Sequence, residues 1–490
     1  MKYNIFLAVS KEWNGMCMGL YDKKWRIFSL VGVSIFMSTL DSSIVNVALP
    51  YIMEDLSSDV KTVQWVVVIY LLSVSSLLLT FGRLSDIQGR RMVYVTGFLV
   101  FTLGSLLCAN AMTSLFLVGA RAVQGVGASM LMACSPALVV DAFAPQERGR
   151  ALGMVGAVVA AGLTLGPLAG GMILEYFSWR LIFYINVPIG VLAMAAGVFV
   201  LRGLPGGSGS REPLDKIGSL LLIVMLNSLI VTMVRSSDWG LISAKSGLCL
   251  LIGGTCALGF VFHEKRTPYP LFDLDLMKNR LFAMALSASA ILFACLFVMV
   301  FMMPFFLTYP CGFSASKTGT IMIVPFLFLL VISPVSGMLA DRAGSRILCT
   351  TGMVLMGLSL FFLVFSYPDM GVLSIVWRIA LAGIGTALFV SPNNTAIMGS
   401  VPVHQRGIAS GATATARNLG MVSGVALAGA IFSSFVSLQG QGPEGYTPVM
   451  APAFMAGFKH AMAFGSGLAF IGAAVAFFRG RENRETFVSA

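Results

Sequence analysis

Gly82-Arg83-Leu84-Ser85-Asp86-Ile87-Gln88-Gly89-Arg90-Arg91 stands between two long apolar runs, and its frame returns as Gly337-x-Leu339-x-Asp341-x-x-Gly344 between two others. A glycine at each end permits a tight turn with close backbone approach. The carboxylate between them can accept hydrogen bonds at a neighbouring helix N-terminus. Further matches share the register. Arg121, followed by Gly125 and Gly127, returns as Arg378, followed by Gly383 and Gly385. Ser135-Pro136 returns as Ser391-Pro392, and Pro145 with Arg148 returns as Pro402 with Arg406. Four matches at nearly one offset make the chain two parallel halves, and two such halves facing each other across a cavity are an architecture of secondary transporters.

Composition sets the solvent. Of 490 residues, 57% are hydrophobic and 11% charged, against roughly 45–50% apolar and about 25% charged in an ordinary globular protein. There is too little polar surface to cover the apolar side chains in water. A soluble enzyme, a disordered chain, a fibre and a secreted disulfide scaffold are all excluded as whole-chain readings. A span needs about 20 mostly apolar residues, and fourteen such runs are present: 26–49, 62–82, 92–110, 115–140, 151–174, 182–201, 217–235, 246–263, 281–307, 318–340, 347–366, 372–400, 408–434 and 458–478. The expected fold is an all-α polytopic membrane protein: a segment 1–25, a six-helix bundle 26–201, a region 202–280 carrying two extra helices (217–235 and 246–263), a second six-helix bundle 281–478, and a tail 479–490.

The net charge is +11, from 32 Lys+Arg against 21 Asp+Glu. With the N-terminus inside, most cations fall in cytoplasmic loops, as the positive-inside rule requires, and an even number of spans puts both termini in the cytoplasm. The basic balance therefore calls for no nucleic-acid partner. The 8 cysteines form no C-x-x-C pair, and the 3 histidines (His263, His404 and His460) are far apart. No metal-ligand spacing, cofactor motif or nucleophile–base constellation is present, so neither enzyme chemistry nor a cofactor is expected.

Leu40-Asp41-Ser42-Ser43-Ile44-Val45-Asn46-Val47-Ala48-Leu49-Pro50 closes the first span. A carboxylate inside a span costs about 2.5–3.5 kcal/mol on insertion scales and normally faces a cavity or a partner. Asp41 is thus expected to face an aqueous cavity of low polarity and to carry the proton or bind substrate; the alternative is a helix-packing acid. Arg121-Ala122-Val123-Gln124-Gly125-Val126-Gly127-Ala128 lies in the fourth span. Arg121 either stands beside Asp41 as a second proton-coupling residue or ties helices together through backbone carbonyls. Asn46, Trp65, Tyr70, Gln124, Asn393 and Asn394 are candidates to line a substrate cavity. Gly82, Asp86, Gly89, Arg90 and Arg91 are candidates for a cytoplasmic conformational gate. Gly162, Gly166, Pro167, Gly170 and Gly171 end the fifth span with small residues that let helices meet backbone to backbone. Trp179, at the next turn, is expected as an interfacial anchor.

Together these motifs resemble the major facilitator superfamily and, within it, the drug–proton antiporter family with fourteen spans. The likeness runs over nearly the whole chain from Trp25. The first-span motif, the loop motif at 82–91, Arg121 to Ala128, the Gly-Pro motif at 162–171 and the stretch from Trp179 to Gly190 come in the family's order. The resemblance implies export of small amphipathic or cationic compounds across a prokaryotic plasma (inner) membrane by a monomer, driven by proton entry, with Asp41 in the place of the family's first-span acid. This chain departs from the family at Ile87 and Gln88, in its degraded second loop motif, and in lacking an acid inside the second-half spans. The competing expectations are a specialised metabolite, siderophore or lipid transporter on the same fold, and a non-transporting membrane sensor.

Overall fold

The computed structural model describes all residues except 1, 145, 204–213, 241–242, 269, 403–404, 438–450 and 481–490, and no side chains for 2–22, 237, 341–343 and 436–437. The linker at Pro205, Pro145, His404, the side chains of Asp341 and Arg342, and the tail 481–490 lie outside the described residues.

The first half comprises α1 (Lys2–Asp55), α2 (Val60–Gln88), α3 (Arg90–Ala109), α4 (Ser114–Ala142), α5 (Arg148–Tyr176), α6 (Arg180–Tyr184) and α7 (Asn186–Val200). Two further helices follow, α8 (Lys216–Trp239) and α9 (Ala244–Glu264). The second half comprises α10 (Arg280–Thr308), α11 (Ala315–Met322), α12 (Val324–Ala343), α13 (Ser345–Val364), α14 (Val372–Gly399), α15 (Arg406–Ser437) and α16 (Ala451–Phe478). Among the described residues these make 14 spans long and apolar enough to cross a membrane. The runs 182–201 and 318–340, expected as unbroken spans, are each built from two helical pieces, α6 with α7 and α11 with α12. Pro325 stands at the start of α12 and Pro188 in the first turn of α7. Proline has no N–H to continue a preceding helix, so a helix can start there but hardly run through.

The repeat is visible in the packing. In the first half α1 packs on α5, α4 on both α2 and α3, and α3 on α7. In the second, α10 packs on α15, α14 on both α12 and α13, and α13 on α16. The glycines of the repeated arginine motif meet equivalent partners. A side chain at Gly125 would strike Tyr70 of α2, and one at Gly383 would strike Pro325 of α12. Gly127 lies against Phe101 of α3, and Gly385 against Gly352 of α13. Both loop motifs turn on a glycine at positive φ, Gly89 (96°) and Gly344 (82°), a conformation that side chains with a Cβ rarely adopt.

α8 and α9 pack on each other, and α8 lies against α2 and α15. An ion pair joins Lys61 of α2 to Asp238 of α8, and the guanidinium of Arg235 sits 6.0 Å from the centre of the Trp65 ring. Trp65, expected in the substrate cavity, is thereby turned toward the added helix pair.

The halves touch at the end of the bundle away from the termini, and α2 and α15 also stay packed together toward the other end, down to Leu79 and Gly411. Ser316 N–H donates to Glu175 (3.0 Å), Tyr309 Oη to the carbonyl of Pro50 (3.2 Å), and Gln64 Nε2 to the carbonyls of Val425 (2.7 Å) and Ala426 (3.0 Å). At that end Gly171 of α5 lies directly on Ala315 and Gly319 of α11. Gly149, Gly153 and Gly156 occupy the same face of α5 nearer its start, by the helical repeat. An added Cβ there would find nothing within 4 Å. α5 therefore meets the second half at one end and diverges from it toward the Arg- and Lys-rich end.

Candidate functional site

Asp41 is enclosed within the first half, at 0% exposure. Its Oδ2 accepts from Arg121 Nη1 at 2.5 Å. Its Oδ1 accepts from Gln124 Nε2 at 2.8 Å and from Asn186 Nδ2 at 3.0 Å. Arg121 Nη1 also donates to Gln124 Oε1 (2.7 Å), and its Nε to the carbonyl of Val66 (3.0 Å). Gln124 Nε2 donates in addition to Ser105 Oγ (2.8 Å). The guanidinium lies 4.1 Å from the centre of the Tyr70 ring, and Tyr70 Oη donates to the carbonyl of Ser38 (3.2 Å). One carboxylate thus joins α1, α4 and α7, with α2 and α3 bonded through the arginine and the glutamine.

The expectation that Asp41 faces an aqueous cavity is corrected here: the carboxylate is sealed off, paired and hydrogen-bonded. A charge inside a bundle persists only when matched in this way. Both placements left open for Arg121 are found: it stands beside Asp41 and pairs with it, and it also ties α4 to the α2 backbone through the carbonyl of Val66. Asn186 belongs to the stretch from Trp179 to Gly190, to which the sequence assigns no cluster role. Its signal was available, a polar side chain within a span, but nothing local links it to an acid 145 residues earlier.

The Gly-Pro motif abuts this cluster. Side chains at Gly162 and Gly166 would collide with Thr39 and Ser43, which flank Asp41, and one at Gly170 would collide with Ile44. Ser43 Oγ donates to the carbonyl of Gly162 (3.2 Å). α5 runs unbroken through Pro167. It carries α1 on one face and α11 on the other, a mechanical link between the charged cluster and the second half.

Other candidates lie elsewhere. Asn46 is buried; its Nδ2 donates to the carbonyl of Ser42 (2.7 Å), while Oδ1 has no partner. Asn394 is exposed. Asn393, expected in the cavity, is instead buried at the end of the second half near the termini, where its Nδ2 donates to the carbonyl of Ala285 (3.1 Å) and its Oδ1 accepts from Arg479 (3.2 Å). Trp179, expected as an interfacial anchor, is buried and donates its indole N–H to Asp55 (2.9 Å).

In the loop motif, Arg90 reaches Asp86 (3.3 Å), the carbonyl of Ala137 (3.2 Å) and Asp141, binding α2, α3 and α4. Arg91 donates to the carbonyl of Val198 (3.1 Å) at the end of α7. The second half holds a counterpart. Ser345 takes Arg90's place in the repeat, and Arg479, just after α16, bonds both Ser345 and Asn393. Arg346, matching Arg91, lies 4.2 Å from the Phe477 ring centre of α16. The exposed Asp86–Arg90 pair is worth at most about 1 kcal/mol, so Asp86→Asn should accumulate normally yet turn over more slowly. Unchanged turnover would remove Asp86 from the gate. Ser345→Arg should likewise restore function to Arg479→Ala, and failure to do so would break the correspondence.

Two six-helix bundles related by an internal repeat, with a matched charge cluster inside one, define a polytopic membrane transporter. The chain matches the family model described as Major Facilitator Superfamily over residues 31–425 and 286–489, and it belongs to that superfamily. Its 14 spans fit the drug–proton antiporter type. Among relatives, it is 35% identical to the riboflavin transporter RibZ of Clostridioides difficile, over 84% of this chain and 88% of that one. It is 34% identical to the multidrug resistance protein Stp of Mycobacterium tuberculosis, over 83% and 75%, and 28% identical to the multidrug transporter protein MdtP of Bacillus subtilis, over 87% and 78%. A crystal structure of an auto-inhibited POT-family peptide transporter superposes with TM-score 0.67 at 14% identity, covering 94% of this chain and 98% of that one; this likeness shows the fold alone.

Proposed function

We propose that the protein is a proton-coupled exporter of small amphipathic molecules working by alternating access. The buried Asp41–Arg121–Gln124–Asn186 cluster carries this reading. A proton delivered to Asp41 removes the charge that holds Arg121 Nη1, while the Gln124 oxygen and the Val66 carbonyl remain to receive the guanidinium. The bonds from α4 and α7 to α1 are thereby altered. The glycine face of α5 transmits that change to α11. Two relatives named for multidrug resistance or multidrug transport support export. A second reading, transport of a single vitamin-like metabolite, rests on the likeness to the riboflavin transporter. Everted vesicles from an efflux-deficient host separate the two. The export reading expects uptake of several unrelated dyes on acidification of the lumen, whereas uptake of riboflavin alone would favour the second.

In this reading the Arg- and Lys-rich end, with both termini, lies in the cytoplasm of a prokaryotic cell, and the protein works as a monomer. A Gly153→Cys variant tests the orientation, because its site on α5 is open. An impermeant maleimide should label it in everted vesicles and spare it in right-side-out ones; the reverse would invert the topology. The variant is made in a background with Cys17, Cys249 and Cys256 replaced by serine, because Cys249 and Cys256 are only part-buried and Cys17 lies in the N-terminal segment. Cys108, Cys134, Cys295 and Cys349 are buried, and burial pushes the Cys311 thiol up to about 12.

A further inference from the structure

Two carboxylates at the end of the bundle nearer the termini are buried with half their oxygens unpaired. Asp215 caps the N-terminus of α8, and Glu264 ends α9. The Asp215 side chain is 5% exposed and Glu264 4%. Asp215 Oδ1 accepts from the Gly218 N–H (2.8 Å) and stands 2.8 Å from His263 Nε2. Glu264 Oε2 accepts from the Phe272 N–H (3.4 Å). The other oxygen of each, Asp215 Oδ2 and Glu264 Oε1, has no hydrogen-bond partner among the described residues. Both lie over Gly218: a Cβ added there would overlap Asp215 Oδ2 and stand 2.9 Å from Glu264 Oε1.

Two unpaired acceptors brought together away from water repel each other, and each is costly alone. One hydrogen satisfies both, because a protonated carboxyl donates a short, strong bond to a carboxylate. The surroundings decide which acid carries it. Asp215 sits at a helix N-terminus, where negative charge is favoured, and Glu264 at a helix C-terminus, where it is disfavoured. The proton therefore belongs on Glu264. His263 is the other titratable group bonded to the pair. Lys216, Lys265 and Arg266, next to the two acids in the chain, are exposed. On the elements packed against α8, the charged groups at this end are Arg83 and Asp86 of α2 and Arg406 of α15.

The pair ties together more than α8 and α9. The backbone of Phe272 hangs on Glu264, and its side chain packs on the cluster of Leu276, Phe282, Ile397 and Val401 in the second half. Asp273, beside it, accepts from Gln405 (3.2 Å). We propose that Asp215 and Glu264 form a proton-binding site, one proton shared between Glu264 Oε1 and Asp215 Oδ2, which clasps the added helix pair to the segment entering the second half. Loss of that proton to an alkaline solution leaves two facing carboxylates, and their repulsion opens the clasp. The site is separate from Asp41 and does not rest on the exporter reading.

Infrared difference spectra of the detergent-solubilised full-length protein, taken between neutral and alkaline pH, should show the loss of a protonated-carboxyl stretch, and Glu264→Gln should remove that band. In this variant an amide N–H replaces the carboxyl O–H, so its unfolding temperature at neutral pH should match the parent's. Glu264→Ala, which leaves Asp215 without a donor, should unfold at a lower temperature than either. The parent gives up a proton held by the folded state, so its unfolding temperature should fall as pH rises, and the fall should be several degrees smaller in Glu264→Gln. Absence of the band from the parent, or its persistence in Glu264→Gln, overturns the shared proton. So does a Glu264→Gln variant markedly less heat-stable than the parent at neutral pH, because the glutamate would then be charged there. An equal pH dependence in parent and variant overturns the clasp. If magnesium raises the unfolding temperature of the parent and not of Glu264→Gln, the pair holds a cation and the shared proton is again overturned.

Discussion

Asp41→Asn is expected to abolish concentrative export and to lower the amount of folded protein in the membrane. The second effect follows from the geometry. Arg121, 1% exposed, would keep its charge and lose its counterion, and breaking a buried pair from one side costs about 3–5 kcal/mol. Loss of transport by the single variant therefore does not separate coupling from folding. The double variant Asp41→Asn/Arg121→Gln does. Both charges are gone, and amides remain to bond Gln124, Asn186 and the Val66 carbonyl. It should recover most of the heat stability of the detergent-solubilised protein, read as the monodisperse fraction after heating, and still fail to accumulate dye in energised everted vesicles. Proton-dependent accumulation by the double variant would move coupling elsewhere. A single variant as heat-stable as the parent would mean that the pair contributes little to the fold.

The same cluster shows what a sequence can and cannot display. Fourteen spans and the internal repeat are legible because they are written locally: apolar runs of sufficient length, and a Gly-Asp-Gly turn occurring twice. Asp41 and Arg121 stand out because a charge within such a run is expensive. What they touch is not legible, since the contacts join helices far apart in sequence. Asn186 reaches Asp41, and Asn393 reaches Arg479, through packing that no periodicity encodes. Trp179 illustrates the limit of composition. A tryptophan at a span end reads as a lipid anchor, yet here its N–H is committed to Asp55. Trp65 likewise reads as a cavity aromatic until the added helices, which interrupt the repeat, bring Arg235 against it. The guanidinium of Arg479 standing beside Ser345 explains how a second loop motif that looks degraded can still be bonded to α14.

Gly166→Val and Gly171→Val should fail in different ways, although they lie five residues apart on one helix. At Gly166 the new side chain would overlap Ser43 of α1, next to Asp41. α1 and α5 belong to the same half, and overpacking there costs about 1–3 kcal/mol or more. Gly166→Val should therefore show reduced accumulation, a lower unfolding temperature and no export. At Gly171 the overlap is with the carbonyl of Ala315, 2.6 Å from the added Cβ, and with Cα of Gly319, 3.0 Å away. That contact crosses between the halves at the end far from the termini, where Ser316 and Tyr309 also bond the first half. Each half can keep its own packing if the two separate there, so Gly171→Val should fold but seal poorly. An impermeant thiol reagent added to right-side-out vesicles should then reach Gly153→Cys, whose site on α5 is open and which the intact seal protects, and the vesicles should lose their proton gradient faster. If Gly171→Val excludes the reagent as well as the parent does, α5 and α11 do not form the seal. If it instead loses stability as Gly166→Val does, the two faces of α5 are not mechanically separate, and α5 cannot carry a change at Asp41 across to the second half in the way proposed.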